Sequence, residues 1–230
     1  MRFALFTMVA RVEPLLERIA AAYRLRAPAL AAAWTPVYPD ATAKEIRVIS
    51  SLAELTDDDC PVGAVRTLDA PGDLAYHTQA DGHPYGLVLA DDFQTLEGIT
   101  IAFLHELFEA HVDPMVDRYL KRIAAEVQDP LQDRRHDVDL GSGDLVPCCA
   151  SVTPAWFALG SGRTTTDGSE LAALTTAPGG YFQRDDGTQA FGVRHVEPAH
   201  KWHHHSRPSR RRRARARATL HVRGHEESLS

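Results

Sequence analysis

The segment with the clearest chemical pattern is the run FLHELFEAHVDP at residues 103–114, which carries histidine and carboxylate side chains at helical spacing. On an α-helix, Glu109 lies about 40° and Glu106 about 100° around the axis from His105, while the apolar residues occupy the opposite face. An imidazole and a carboxylate at positions i and i+4 can both reach one metal ion. The spacing therefore predicts His105 and Glu109 as metal ligands, with Glu106 beside them as a base for an attacking water.

This pattern corresponds to the His-Glu-x-x-His helix of zinc peptidases, with Glu109 in the place of the second histidine. A carboxylate is a legitimate zinc ligand, although it lowers the Lewis acidity of the ion. His111 falls on the far side of the helix and is not expected to bind the metal. Asp113 lies roughly 12 Å along the axis from His105, which suits a supporting or helix-ending role. The alternative interpretation is a solvated, Glu-rich amphipathic helix without a metal.

A third ligand is expected from the segment EVQDP at residues 126–130. Glu126 and Asp129 are three residues apart and can face the same side of the chain. One of them would bind the metal, and the other would hold the free ring N–H of His105. The spacing alone leaves both assignments open.

Other residues with chemical potential carry weaker patterns. His77 lies on a predicted edge strand, where it could stabilise a substrate oxyanion, although a structural role is the favoured interpretation. Cys148 and Cys149 lack a second pair at zinc-finger spacing and are expected to be buried thiols. Trp156 and Phe157 are expected to pack in the core.

Three helical stretches are predicted to surround and position these residues. Helical periodicity covers residues 12–34, with Pro14 in the first turn and Pro28 expected to end or kink the helix. The metal-binding helix is predicted at 94–111. A further helical stretch is expected at 115–127.

Short strands are predicted between the helices, in the segments EIRVISSL, GAVRTLD and LAYHTQ. Residues 3–10 are apolar but are followed at once by charged residues, so a buried strand is favoured over a signal peptide. Turns at Asp81 and Gly82 and at Asp186 and Gly187 predict two hairpins. The pattern indicates an α+β domain with an N-terminal helix, a small twisted mixed sheet, an active-site helix and a loop-rich C-terminal part.

Five segments of the chain together resemble a protein group of actinobacteria and their phages. They lie in order within residues 74–183 and read AYHTQADGHPYGLV, FLHELFEAHVDP, EVQDP, SVTPAWF and PGGYF. That group is in turn similar to gluzincin-type zinc metallopeptidases, in which a downstream glutamate completes the zinc site. The resemblance implies a zincin-like fold over residues 1–199, with Zn²⁺ held by His105, Glu109 and Glu126.

The charge of the chain is divided unevenly between its body and its C-terminus. The net charge is −6, but residues 201–230 hold nine Lys or Arg against two Glu, and residues 1–200 carry −13. Residues 200–230 are therefore predicted to be a disordered basic tail, either without a dedicated partner or in non-specific contact with nucleic acid or an acidic protein surface. No stretch approaches the roughly 20 apolar residues of a membrane span.

Two functions from different classes follow as hypotheses. The first is zinc-dependent hydrolysis of a peptide or protein substrate. The second is a virion-associated structural or binding protein, with a degenerate zincin-like fold and a tail used for assembly. Three cysteines in the whole chain suit a reducing compartment, so a cytoplasmic or virion-associated location is expected. An open metal position next to Glu106 would favour the enzyme, whereas four protein ligands would indicate a structural site.

Overall fold

The computed structural model describes residues 1–68, 74–93, 95–169 and 171–191. Two α-helices lie within these ranges, α1 (Leu16–Trp34) and α2 (Leu96–Val112). The strands are β1 (Arg2–Thr7), β2 (Ile46–Val48), β3 (Asp59–Val65), β4 (Ala75–Ala80), β5 (His83–Leu89), β6 (Tyr119–Leu120), β7 (Ile123–Ala124), β8 (Arg135–Asp139), β9 (Leu145–Cys149), β10 (Tyr181–Gln183) and β11 (Gln189–Phe191).

The first five strands form one mixed sheet in the order β2-β1-β3-β5-β4. Its first four strands run parallel, and β4 pairs antiparallel with β5 at the edge, where His77 lies opposite Gly86. Six further strands form three two-stranded ladders in the described C-terminal part. The predicted α+β class with a mixed sheet and an N-terminal helix is confirmed.

Apolar side chains cover both faces of the sheet, but the two layers differ in size. On the helical face, Phe3 of β1 packs in one large core with Tyr23 and Trp34 of α1 and Phe103 of α2. On the other face, a smaller apolar cluster forms around Phe6. Because α2 follows β5 and packs on both strands of the β4–β5 hairpin, the edge strand and the helix share one interface.

Pro28 was predicted to end or kink the first helix. It does not end the helix, because α1 continues to Trp34. A proline removes the hydrogen bond to the carbonyl four residues earlier, here that of Arg24. Both residues lie on the exposed side of the helix, where water can hydrate that carbonyl. Burial of Ala27 and Leu30 on the opposite side holds the helix together across the proline.

The helix predicted at 115–127 is wrong, since this segment contains the hairpin β6–β7. The Asp113 carboxylate accepts hydrogen bonds from backbone amides beyond the end of α2, including that of Arg118, and so turns the chain away from the helix axis. Lys121 and Arg122 have φ angles of +48° and +69°, the left-handed pair that a tight hairpin turn requires. These residue types are unusual in such a turn, which is why composition favoured a helix.

Most of the other local predictions are confirmed. The strand predicted within residues 3–10 is the buried β1, which ends at Thr7, and hairpins turn at Asp81 with Gly82 and at Asp186 with Gly187. The three cysteines, Trp156 and Phe157 are buried. No helix in the described part of the chain is long and apolar enough to cross a membrane. The predicted basic tail at 200–230 lies outside the described residues.

Candidate metal centre

The candidate site is carried by α2, which packs against α1, β4, β5 and β9 and is therefore buried on nearly all sides. The helix begins after Thr95, whose hydroxyl accepts a hydrogen bond of 3.1 Å from the Gly98 amide. It ends before Asp113. Glu106 and Glu109 are 5% and 4% exposed, so the alternative of a solvated surface helix is excluded.

Three donor atoms from α2 and the segment after β7 lie close together. Nε2 of His105 is 3.2 Å from Oε1 of Glu109 and 3.2 Å from Oδ1 of Asp129. Ligand atoms about 2.1 Å from one ion lie about 3.0 Å apart in octahedral geometry and about 3.4 Å apart in tetrahedral geometry. The three side chains therefore have the spacing of a ligand set for one divalent metal ion.

A second group joins the edge strand to the same helix. Nδ1 of His77 on β4 lies 3.2 Å from Oε2 of Glu106 and 3.6 Å from Oε2 of Glu109. The opposite ring nitrogen, Nε2, donates a hydrogen bond of 3.1 Å to the backbone carbonyl of Asp113. Glu109 belongs to both groups, with a different oxygen facing each histidine.

The two candidates for the third ligand take different positions. The carboxylate of Asp129 faces His105, whereas Oε2 of Glu126 lies 3.6 Å from Nε2 of His77. The short 3₁₀ turn that begins at Asp129 presents its carboxylate to α2. The geometry thus groups Asp129, and not Glu126, with His105 and Glu109.

Burial and mutual repulsion perturb the protonation of the group around His105. Burial, and then the negative charge of Glu109, raise the pKa of Asp129 to about 7. Burial alone would lower the pKa of His105, but the Glu109 charge and a hydrogen bond with Asp129 raise it well above its usual value. Burial would likewise raise the pKa of Glu109, yet the neighbouring His105 charge lowers it. A buried group of this kind is stabilised when a cation neutralises its carboxylates.

Several supporting residues were not identified as site residues from the sequence. Tyr181 of β10 hydrogen-bonds with Asp129, and burial raises the pKa of its hydroxyl well above the usual value. The side chain of Cys149 hydrogen-bonds with the His105 ring. The backbone amide of Gln128 donates to Oε1 of Glu109 at 3.3 Å. These contacts join residues that are distant in sequence, so local patterns do not predict them. Tyr181 falls within the PGGYF segment, but the sequence assigned it no role.

His111 and Asp113 take the positions that the helical phase predicts. His111 points to the opposite side of α2, where Nδ1 accepts a hydrogen bond of 2.7 Å from the Tyr23 hydroxyl. Its Nε2 donates to the carbonyl of Ala41 at 3.1 Å. Asp113 follows the last helical residue and binds backbone amides with its carboxylate. Neither side chain belongs to a group that could hold a metal ion in the described residues.

The arrangement combines three side chains at metal-ligand spacing, those of His105, Glu109 and Asp129, with a further carboxylate and imidazole in the same buried cluster. His105, whose side chain is 14% exposed, is the least buried member of that triad. Such a cluster can bind a divalent ion and transfer a proton at Glu106. No protein-family model matches the chain, and neither a curated protein nor a solved structure matches it at the significance required.

Proposed function

We propose that this protein is a zinc-dependent hydrolase of peptide bonds with a zincin-like fold. The observation that carries the proposal is the triad of His105, Glu109 and Asp129 with Glu106 adjacent to it on α2. Three donors from the protein leave a coordination position for substrate or water, as in catalytic zinc sites. This arrangement favours hydrolysis over a closed structural site with four protein ligands.

Different residues of the chain would bind the metal, accept the proton and position the base. When bound by the triad, a zinc ion would act as a Lewis acid and make a water molecule more acidic. Glu106 would accept the proton of the attacking water, because its carboxylate is buried close to the triad and is held in place by His77. Both ring nitrogens of His77 already contact protein groups, so we assign His77 a positioning role and not oxyanion binding.

A peptide is the substrate class best suited to the edge strand. β4 ends the described sheet, and an extended peptide can pair with such an edge through main-chain hydrogen bonds. His77 lies on this strand and points to Glu106 on the helix. A peptide bound along β4 would therefore run close to the proposed catalytic base.

The experiment is metal analysis combined with peptidase assays on chain purified without an affinity tag. At one equivalent of zinc, the Glu106→Gln variant should retain its zinc and its fold but lose turnover, because an amide cannot accept the water's proton at neutral pH. Glu109→Ala should lose zinc, whereas the matched helix variant His111→Gln should keep it. Wild-type chain that retains no zinc after gel filtration, or unchanged turnover in Glu106→Gln, would contradict the proposal.

A further inference from the structure

The carboxylate of Glu109 lies between two histidines and offers a different oxygen to each. Oε1 is 3.2 Å from Nε2 of His105, and Oε2 is 3.6 Å from Nδ1 of His77. Each histidine has a second carboxylate beside it, Asp129 for His105 and Glu106 for His77. The result is two donor groups, each with one imidazole nitrogen and two carboxylate oxygens, that share one side chain.

The hydrogen bonds of His77 indicate which of its two ring nitrogens carries a proton. The carbonyl of Asp113 can only accept a hydrogen bond, so Nε2 of His77 carries the ring proton. In the protonated ring Nδ1 donates to Glu106 and holds that carboxylate in place, whereas in the neutral ring Nδ1 is a lone-pair acceptor that faces the carboxylate oxygens of Glu106 and Glu109. Three acceptors so arranged require a proton or a metal cation among them. Histidine ligands of metals commonly donate their other ring N–H to a backbone carbonyl, as His77 does here.

The charge of the whole cluster leaves room for a second cation. Four carboxylates are buried in it, those of Glu106, Glu109, Glu126 and Asp129. One divalent ion offsets two of these negative charges, and the charge that remains can be offset by protons on the imidazoles or by a second cation. Two divalent ions balance all four, which removes the large cost of buried unpaired charge.

We propose that Nδ1 of His77, Oε2 of Glu106 and Oε2 of Glu109 bind a second divalent cation, so that Glu109 bridges two ions. The inference rests on the proposed function for its first ion position and extends it to a two-metal centre. Paired ions about 3.5–4 Å apart are a known arrangement in hydrolytic enzymes, aminopeptidases among them. The mixed imidazole and carboxylate donors suit Zn²⁺ or Mn²⁺. Binding through Oε2 uses only one of the two oxygens of Glu106.

The test measures how many ions each chain binds and whether two ions interact. Full-length protein is stripped with a chelator, titrated with Mn²⁺ and, in parallel, with Zn²⁺, and analysed for bound metal after gel filtration. Electron paramagnetic resonance of the Mn²⁺ samples then reports spin coupling between neighbouring ions. Wild type and the control His111→Gln should bind two ions per chain and show coupling. His77→Ala should bind one ion without coupling, and Asp129→Asn should likewise lose the coupled signal.

The outcomes separate this inference from the proposed function. One ion per wild-type chain, or coupling that persists in His77→Ala, would overturn the two-metal centre while leaving the first ion position intact. No bound ion of either kind would overturn both. If far-UV circular dichroism shows that His77→Ala does not fold, Glu106→Gln provides the same readout, because it removes a charged donor from the second position only. Two coupled ions in that variant would also refute the inference.

Discussion

His111 provides the sharpest quantitative prediction, because the structure holds it as a neutral ring in a fully buried position. It has no exposed surface, and the Tyr23 hydroxyl donates to its Nδ1 while its Nε2 donates to Ala41. The Tyr23 oxygen itself accepts a hydrogen bond from the backbone of Lys44, which orients the hydroxyl proton toward the ring. A second proton on His111 would have to displace the proton that Tyr23 donates.

Burial lowers the pKa of His111 from 6.5 to about 4. Above pH 6.5 the ring is neutral in both the folded and the unfolded chain, so the difference in pKa does not change the unfolding free energy. Between pH 6.5 and 4 the unfolded chain binds a proton that the folded chain does not, and stability falls as the pH is lowered. A gap of about 2.5 pKa units corresponds to about 3 kcal/mol of unfolding free energy, reached fully near pH 4.

The perturbation is His111→Gln, which cannot be protonated, and the measurement is the unfolding free energy of both proteins by urea titration from pH 8 to pH 4. Other titrating groups are common to the two proteins, so the difference between them isolates His111. At pH 8 the wild type should be more stable, and its advantage should shrink by about 3 kcal/mol as the pH reaches 4. A difference that stays constant across this range would refute the buried neutral histidine. Loss of bound metal in the variant would refute the assignment of His111 to the far side of α2.

Three further outcomes are expected. Tyr181→Phe removes a hydrogen bond to Asp129 and should weaken metal binding by about 10- to 100-fold in a competition assay with a chromogenic chelator, while the melting temperature changes little. An added Cβ at Gly180 would lie 2.3 Å from the carbonyl oxygen of the residue after Asp129, so Gly180→Ala should lower both metal affinity and the melting temperature. Gly187→Ala, at an open turn with φ of +83°, should lower only the melting temperature. Deletion of 201–230 should leave melting temperature and metal content unchanged and abolish any salt-sensitive binding to nucleic acid, because the sequence of that segment has few apolar residues but nine basic ones.

The sequence predicted the parts of the site that depend on one helix. The period of 3.6 residues separates His105 and Glu109 from His111, and the structure places their side chains on opposite sides of α2. The edge hairpin that carries His77 was also predicted, since its turn residues and alternating pattern are local signals. Periodicity and turn chemistry act over a few residues, and these two predictions held, whereas the helix predicted at 115–127 and the helix end predicted at Pro28 did not.

Contacts between distant segments could not be predicted in this way. The choice between Glu126 and Asp129 depends on a hairpin whose left-handed turn is made by Lys121 and Arg122, residues that give no turn signal. The contact of Tyr181 with Asp129 depends on the packing of β10 on the segment after β7. Local patterns do not encode such packing, so both features appear only in the folded chain.

The cost of burying the cluster is itself an argument for its role. The large core around Phe103 already fixes α2 against the sheet and α1, and apolar side chains of similar volume at the cluster positions would stabilise the fold at least as well. Glu106, Glu109 and Asp129 have ion pairs with histidines only, in the residues that the structure describes. Burial and the Glu109 charge raise the pKa of Asp129 to about 7 even beside His105, so ionisation of this carboxylate lowers the stability of the metal-free chain. Binding divalent cations reverses that balance, and metal should therefore raise the unfolding free energy of wild type more than that of His77→Ala.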